Sequence, residues 1–262
     1  MTRNYLLLLS AIFALFLCGC STLPGNVAPT YTIPAVTDTP VAATTNTPVA
    51  SLTDTPVPSI AGKSWPTVLP STAKFDYYVL ALSWAPNYCS TNSGDAQECS
   101  LGKKYAFVLH GLWPQNNKGY PSNCSNDSIP ASVMDQFPNL YPNDTLFGHE
   151  WISHGTCSGL SPVDYLTLTS ELKAHLQIPA AYRAPANPFR VTADSLKQAF
   201  LRANRTLTAA SLAVNCSGSG RYLSELYVCF SKDGQPAACG ADVNKDALKS
   251  CSSTNFTVRS VR

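Results

Sequence analysis

Aliphatic and aromatic side chains run almost unbroken from Tyr77 to Trp84, and Pro86 stops them, which predicts a buried strand. A second such run, Tyr105 to Leu109, leads directly into His110-Gly111-Leu112-Trp113-Pro114, so a strand is expected to end at His110, where a loop begins. After Ser161 the apolar period changes. Tyr165, Leu168, Leu172 and Leu176 recur at helical spacing, Ser161 can cap the helix, Pro162 suits its first position, and Pro179 ends it. Thr192 caps a further helix that turns Leu196, Ala199, Phe200 and Ala203 inward, and Tyr222 to Phe230 forms a late strand. Strands interleaved with helices predict an α+β or α/β domain.

The first 71 residues do not take part in this pattern. Residues 1–20 read as a signal peptide, with basic Arg3 followed by an apolar run from Leu6 to Leu17 that is too short to span a bilayer. The run ends Leu17-Cys18-Gly19-Cys20-Ser21, which resembles a bacterial lipoprotein signal with Cys20 as the lipidated residue. Residues 21–71 are rich in Pro and Thr and carry an eight-residue repeat, Thr-Asp/Asn-Thr-Pro-Val, starting at Thr37, Thr45 and Thr53. With no apolar periodicity to build a core, this stretch is expected to be a disordered, extended spacer. The expected location is thus the outer face of a membrane or the cell surface, or otherwise the secreted fraction, with the lipid as the sole membrane contact.

Residues 72–262 are enough for one domain with a real core. Their net charge is small and positive, below that of a protein that holds nucleic acid by charge alone, so any polyanion must be held locally. Eight cysteines fall in this region, an even number in an exported domain, which predicts four disulfides. Short loops favour Cys89–Cys99 and Cys229–Cys239, and no Cys-x-x-Cys spacing suggests a zinc knuckle.

The titratable chemistry near neutral pH is concentrated in His149-Glu150-Trp151-Ile152-Ser153-His154-Gly155-Thr156-Cys157. On a helix Glu150 and His154 share a face, whereas His149 and His154, five apart, do not. A zinc-protease helix needs its histidines four apart, so no metal is expected. A carboxylate beside one histidine suits proton transfer, although the same pair also occurs as a buried structural hydrogen bond. His175 falls in the last turn of its helix and reads as a surface or capping residue.

Two segments, Phe107-Val-Leu-His110-Gly-Leu-Trp113-Pro114 and His149-Glu-Trp-Ile-Ser-His154-Gly-Thr-Cys157, resemble the two active-site segments of the ribonuclease T2 family in content, order and separation. Phe75 to Cys89 and Leu223 to Phe230 are similar to its first and late strands. The resemblance implies an α+β fold with a central antiparallel sheet flanked by helices and tied by disulfides. It implies a monomeric endoribonuclease that cleaves single-stranded RNA through a 2′,3′-cyclic phosphate to 3′-phosphate ends, without metal or other cofactor. Carried over by position, His110 is the general acid and His154 the general base. Glu150 is the third catalytic residue, expected to orient or tune His154 from the same helix face. His149 supports the substrate phosphate. Trp113 stacks on a base or packs in the core, and Trp151 suits the core. The implied bridges are Cys89–Cys99, Cys124–Cys157, Cys216–Cys251 and Cys229–Cys239.

One position departs from the pattern. The family usually has Lys or Arg immediately before the second catalytic histidine, and this chain has Ser153. A cation that would stabilise the transition-state phosphate is missing there, and Lys103, Lys104 and Lys118 are candidates to replace it. The same departure motivates the alternative reading, a catalytically weakened RNA-binding or cell-surface interaction module on this fold.

Overall fold

The computed structural model describes residues 64–66, 71–251 and 255–262. The expected signal peptide, Cys20 and most of the expected spacer lie outside these residues. Within them the strands are β1 (Tyr77–Trp84), β2 (Phe107–Gln115), β3 (Phe189–Val191), β4 (Leu212–Ser217), β5 (Tyr222–Phe230) and β6 (Phe256–Val258). The helices are α1 (Ala85–Tyr88), α2 (Ala96–Cys99), α3 (Ala131–Met134), α4 (Asp144–Ser153), α5 (Pro162–His175), α6 (Ala193–Ala203) and α7 (Ala241–Ser250). The fold is α+β. The six strands form one sheet in the order β2-β1-β5-β6-β3, with β4 also pairing β5. Every pairing is antiparallel except that of β5 with β6, where Tyr222 registers with Thr257. The central sheet is antiparallel, as expected, apart from this one short contact.

β1 is apolar except at Ser83 because it is central and covered on both faces. Tyr78, Leu80, Leu82 and Trp84 enter the large core with Tyr165, Leu168 and Leu172 of α5 and Leu196 and Phe200 of α6. Tyr77, Val79 and Ala81 point the other way, into a smaller cluster with Ala213, Cys229, Cys239 and Ala247. Four helices are capped where the sequence offers a short polar side chain, α2 by Asp95, which accepts from Glu98 N–H. Asn143, Ser161 and Thr192 accept hydrogen bonds from the backbone N–H groups of Leu146, Asp164 and Ser195. Such caps contribute about 1 kcal/mol each.

Three expectations change. First, β2 does not stop at His110 but continues to Gln115, because all eight residues of β1 find partners along it. Pro114 is tolerated there since β2 is an edge strand. Second, the helix bearing the second motif ends at Ser153. His154 leaves helical geometry (φ −128°, ψ −48°), and a 3-10 turn over Gly155–Cys157 follows. Third, the folded part reaches back into the stretch expected to be spacer. Trp65 is only 7 % exposed, packs 5.0 Å from the Phe230 ring and donates from Nε1 to Thr206 Oγ1 at 2.6 Å. A buried tryptophan supplies the apolar area that the Pro/Thr repeats lack.

Four disulfides join Cys89–Cys99, Cys124–Cys157, Cys216–Cys251 and Cys229–Cys239. The second holds the loop after β2 against the turn that follows α4, and Asn123 N–H donates to Ser153 O beside it at 3.0 Å. Among the described residues no helix is long and apolar enough to cross a membrane.

Candidate active site

His110 sits on a β-bulge. Ala81 of β1 registers with Gly111, but Leu82 registers with Leu109, so His110 is the extra residue of β2. A bulge twists a strand locally and re-aims one side chain. Here it directs the imidazole towards β5, where Nδ1 lies 2.6 Å from Glu225 Oε1. Ser83 Oγ donates to the same carboxylate oxygen at 3.1 Å, and Tyr227 Oη donates to Oε2 at 2.7 Å. Glu225 is thereby fixed from both sides, and the His110 ring with it.

The other ring nitrogen, Nε2, lies 3.6 Å from Glu150 Oε1. Glu150 is 1 % exposed and takes a hydrogen bond from Trp113 Nε1–H to Oε2 at 2.6 Å. The sequence requires glycine next to His110 for this contact. A Cβ on Gly111 would lie 2.0 Å from Glu150 Oε2 and 2.4 Å from Trp113 Nε1. Glu150 therefore engages Trp113 and His110, rather than orienting His154 as its helical spacing suggested. The reason is local: α4 stops between the two residues.

Trp113 is the centre of the arrangement. Its ring centroid is 5.0 Å from that of His110, 5.2 Å from that of His154 and 5.3 Å from that of Tyr227. The two histidines thus flank one indole, and the indole is half-buried. Trp151, by contrast, is a core residue whose Nε1 donates to Asp127 O. His149 is exposed on α4, with Nε2 3.4 Å from the hydroxyl of buried Ser153. His175 caps its own helix, Nδ1 lying 3.0 Å from Glu171 O. Lys103 and Lys104 line a separate pocket at the end of the sheet, and Lys118 is exposed on the loop after β2. Among the described residues no cluster of three or more His, Cys, Asp or Glu side chains is arranged to hold a metal ion.

Burial and charge pull the two imidazoles in opposite directions. Burial disfavours the charge on His110, but the bonded Glu225 carboxylate, helped by Glu150 and Glu98, outweighs it and raises the pKa above the ordinary imidazole value. His154 has no such partner. Burial, then the nearby charges of His110 and His149, lower its pKa to about 4, and its buried Nδ1 makes no hydrogen bond. The two carboxylates beside His110 also separate. Burial pushes Glu150 up to about 7. Glu225 is buried as well, yet its bond to His110 and those from Tyr227 and Ser83 bring it below the usual carboxylate value. Titratable groups driven apart in this way mark acid and base roles.

The Ser83–Glu225–Tyr227 triangle was not anticipated from sequence. The available signal was a carboxylate, Glu225, at the centre of the otherwise apolar run Leu223 to Phe230.

Two histidines around a half-buried tryptophan, one bonded to a carboxylate and one with its buried Nδ1 unpartnered, form a site suited to acid–base chemistry. Comparison with known proteins says which kind. The model of the Ribonuclease T2 family matches residues 75–239, and the chain belongs to that family. A ribonuclease of Aeromonas hydrophila is 36 % identical over 193 residues, covering 72 % of this chain and 87 % of that one. Ribonuclease DdI of Dictyostelium discoideum is 33 % identical over 175 residues, covering 61 % and 75 %. Among solved structures, ribonuclease MC1 from bitter gourd seeds is similar in fold, with a TM-score of 0.54 at 24 % identity, covering 70 % of this chain and 99 % of that one.

Proposed function

We propose that His154 is the general base and His110 the general acid in the cleavage of single-stranded RNA. The chain is an endoribonuclease of the T2 type. RNA carries its own nucleophile. Neutral His154 takes the proton of the 2′-hydroxyl, whose oxygen attacks the adjacent phosphorus. The bond from phosphorus to the 5′-oxygen breaks, and protonated His110 gives its proton to that oxygen as it leaves. The product is a 2′,3′-cyclic phosphate. In a second step the histidines exchange roles and water opens the ring to a 3′-phosphate. Both proton transfers use side chains of this chain, so the reaction needs no metal. DNA, without the 2′-hydroxyl, is spared.

The observation that carries this reading is a pair of histidines flanking one indole, His110 bonded to a carboxylate and His154 with its buried Nδ1 unpartnered. Glu225 holds His110 charged, and Glu150 supports Nε2 of the same ring while anchoring Trp113. In this reading Trp113 stacks on a base and His149 receives a phosphate oxygen. The decisive measurement is an RNA digest in the presence of a chelator with analysis of product ends. Cyclic phosphate intermediates and 3′-phosphate ends are expected; RNA binding without them would overturn the assignment in favour of a binding module.

The export apparatus belongs to the same proposal. The apolar run before Leu17-Cys18-Gly19-Cys20 supports a lipidated Cys20, and the Pro/Thr repeats beyond it support a spacer that ends by Trp65, with a monomeric catalytic domain held at a surface. Fractionation tests it. Wild type is expected with membranes and Cys20→Ser in the soluble fraction, and a soluble wild type removes the anchor.

A further inference from the structure

The chain just before β1 is fastened to the domain at three places, and nothing in the reaction above uses them. These residues precede residue 75, where the match to the family model begins. The first fastening is Trp65. Its indole meets the Phe230 ring at the end of β5, the Thr206 hydroxyl after α6 and, at 5.8 Å, the His175 ring in the last turn of α5. Beside it Gln235 Nε2 donates to Pro66 O at 3.3 Å.

The second fastening is Lys232, whose Nζ donates to Ala73 O at 2.7 Å and lies 4.6 Å from the centroid of the Phe75 ring. Phe230, Lys232 and Gln235 all belong to the loop that the Cys229–Cys239 bridge closes, so one braced loop grips the segment at two points. The third fastening is Ser71. Its hydroxyl donates to Ser158 O and accepts from Ala73 N–H, the latter at 3.0 Å. Gly159, at φ 71°, makes the approach possible: a Cβ there would lie 2.8 Å from Ala73 Cβ and 3.0 Å from Ser71 Oγ.

The third fastening lands on the active site from behind. Ser158 closes the 3-10 turn that follows His154: its N–H and its hydroxyl both donate to Gly155 O, at 3.0 and 2.6 Å. In the same turn Cys157 N–H donates to His154 O at 3.0 Å. Ser158 is fully buried and Ser71 nearly so, and a buried carbonyl left without a donor is costly. His154 itself stands outside helical geometry, and its buried Nδ1 makes no hydrogen bond. Unlike His110, which Glu225 holds through a ring nitrogen, His154 depends on its backbone and on packing against Trp113.

We propose that Ser71 is a positioning residue for His154, bracing the turn behind it, and that Trp65 latches this brace in place, so that the segment joining the spacer to the domain also sets the rate of cleavage. The inference rests on the reading of His154 as the base. With the segment docked, Ser158 O is paired and the turn stays closed. With it undocked, Ser158 O loses its donor, the turn loosens, and the imidazole leaves its line to the 2′-hydroxyl. A misplacement of about 1 Å in a reacting group is enough to cost about 10²-fold in rate. Ser71 touches neither substrate nor reacting atoms and acts only through Ser158 and its turn.

The test uses the full chain with Ser71→Ala, Ser71→Thr or Trp65→Ala, each checked for its folded fraction by urea unfolding. Per folded molecule, Ser71→Ala is expected to lower kcat on a defined oligoribonucleotide by roughly tenfold with KM unchanged. Ser71→Thr keeps the hydroxyl and should recover most of the rate. Trp65→Ala should lower kcat in the same direction, and it decides the matter alone if Ser71→Ala does not fold. A folded Ser71→Ala variant with the wild-type kcat, or a loss that threonine does not recover, overturns the brace and leaves the ribonuclease reading intact. If wild type cleaves no RNA, the ribonuclease reading fails instead, and titration of the histidine rings by NMR still decides the brace. Burial, with the charges of His110 and His149, sets His154 at about 4, and a loosened turn that admits water should move it up in Ser71→Ala. An unmoved His154 titration in that case removes the brace.

Discussion

Nδ1 of His110 lies 2.6 Å from Oε1 of Glu225, two strands away across β1. The contact makes His110 an imidazole with a fixed ring and a stabilised positive charge, as a general acid requires. Glu225→Gln keeps the shape and removes the charge. Its kcat/KM should hold on the acid side and fall early on the alkaline side, because the pKa of His110 drops. Glu225 is a positioning residue, so a uniform loss at every pH would indicate a folding defect and defeat the assignment.

The pH profile of wild type follows from the same displacements. As the proposed base, His154 must be neutral, so activity is expected to rise with pH through about 4. As the proposed acid, His110 must be charged, so activity is expected to fall as pH rises through its pKa, which lies above the ordinary imidazole value. The product is a broad bell centred in mild acid, read from kcat/KM, which reports the free enzyme. A profile still rising above pH 8 would contradict the role of His110.

His110→Ala and His154→Ala should each cost about 10² to 10⁴ in kcat, the usual share of one proton-transfer group. The double variant should be little worse than either single one, because the pair acts as a unit. Single-turnover cleavage of a defined oligoribonucleotide measures all three. A single variant with most of its rate would break the pair.

The chemistry of this site was legible wherever it is local in sequence. His110 with its Gly-Leu-Trp-Pro, and His149 to Cys157, carry their resemblance within a few residues. What depends on register was not. The bulge at His110 exists only relative to β1, and Glu225 is 115 residues from its partner. The end of α4 did have a signal. Gly155 follows the cap residue His154, and a Cβ there would lie 2.4 Å from the Trp151 ring. Weighing that glycine would have separated Glu150 from His154 without a structure. Trp65, a large apolar residue in a Pro/Thr-rich stretch, likewise announced that the fold begins before residue 72.

Ser153 is buried in the last turn of α4, with its hydroxyl 3.4 Å from Nε2 of exposed His149. A lysine at 153 would bring a cation beside the group proposed to meet the phosphate. Removing one transition-state donor typically costs about 10² to 10³ in rate, so adding one at a fitting place should regain part of it. Ser153→Lys should raise kcat by roughly tenfold or more, with stability checked by urea unfolding because the position is buried. A stable variant with unchanged kcat would show that another group already stabilises the phosphate.

The Cys124–Cys157 bridge links the loop after β2 to the turn just beyond His154, closing a sequence separation of 33 residues. On the loop-entropy account a bridge of that span stabilises the fold by about 3–4 kcal/mol, against about 2–3 kcal/mol for the ten-residue separation of Cys89–Cys99. Cys124→Ser/Cys157→Ser should therefore lower the urea midpoint further than Cys89→Ser/Cys99→Ser. It should also lower kcat under conditions where the protein remains folded, because His154, the residue capping α4, adjoins this bridged turn and the Asn123–Ser153 backbone bond. Loss of stability with kcat intact would mean that packing of Trp113 against His154 suffices to hold the base.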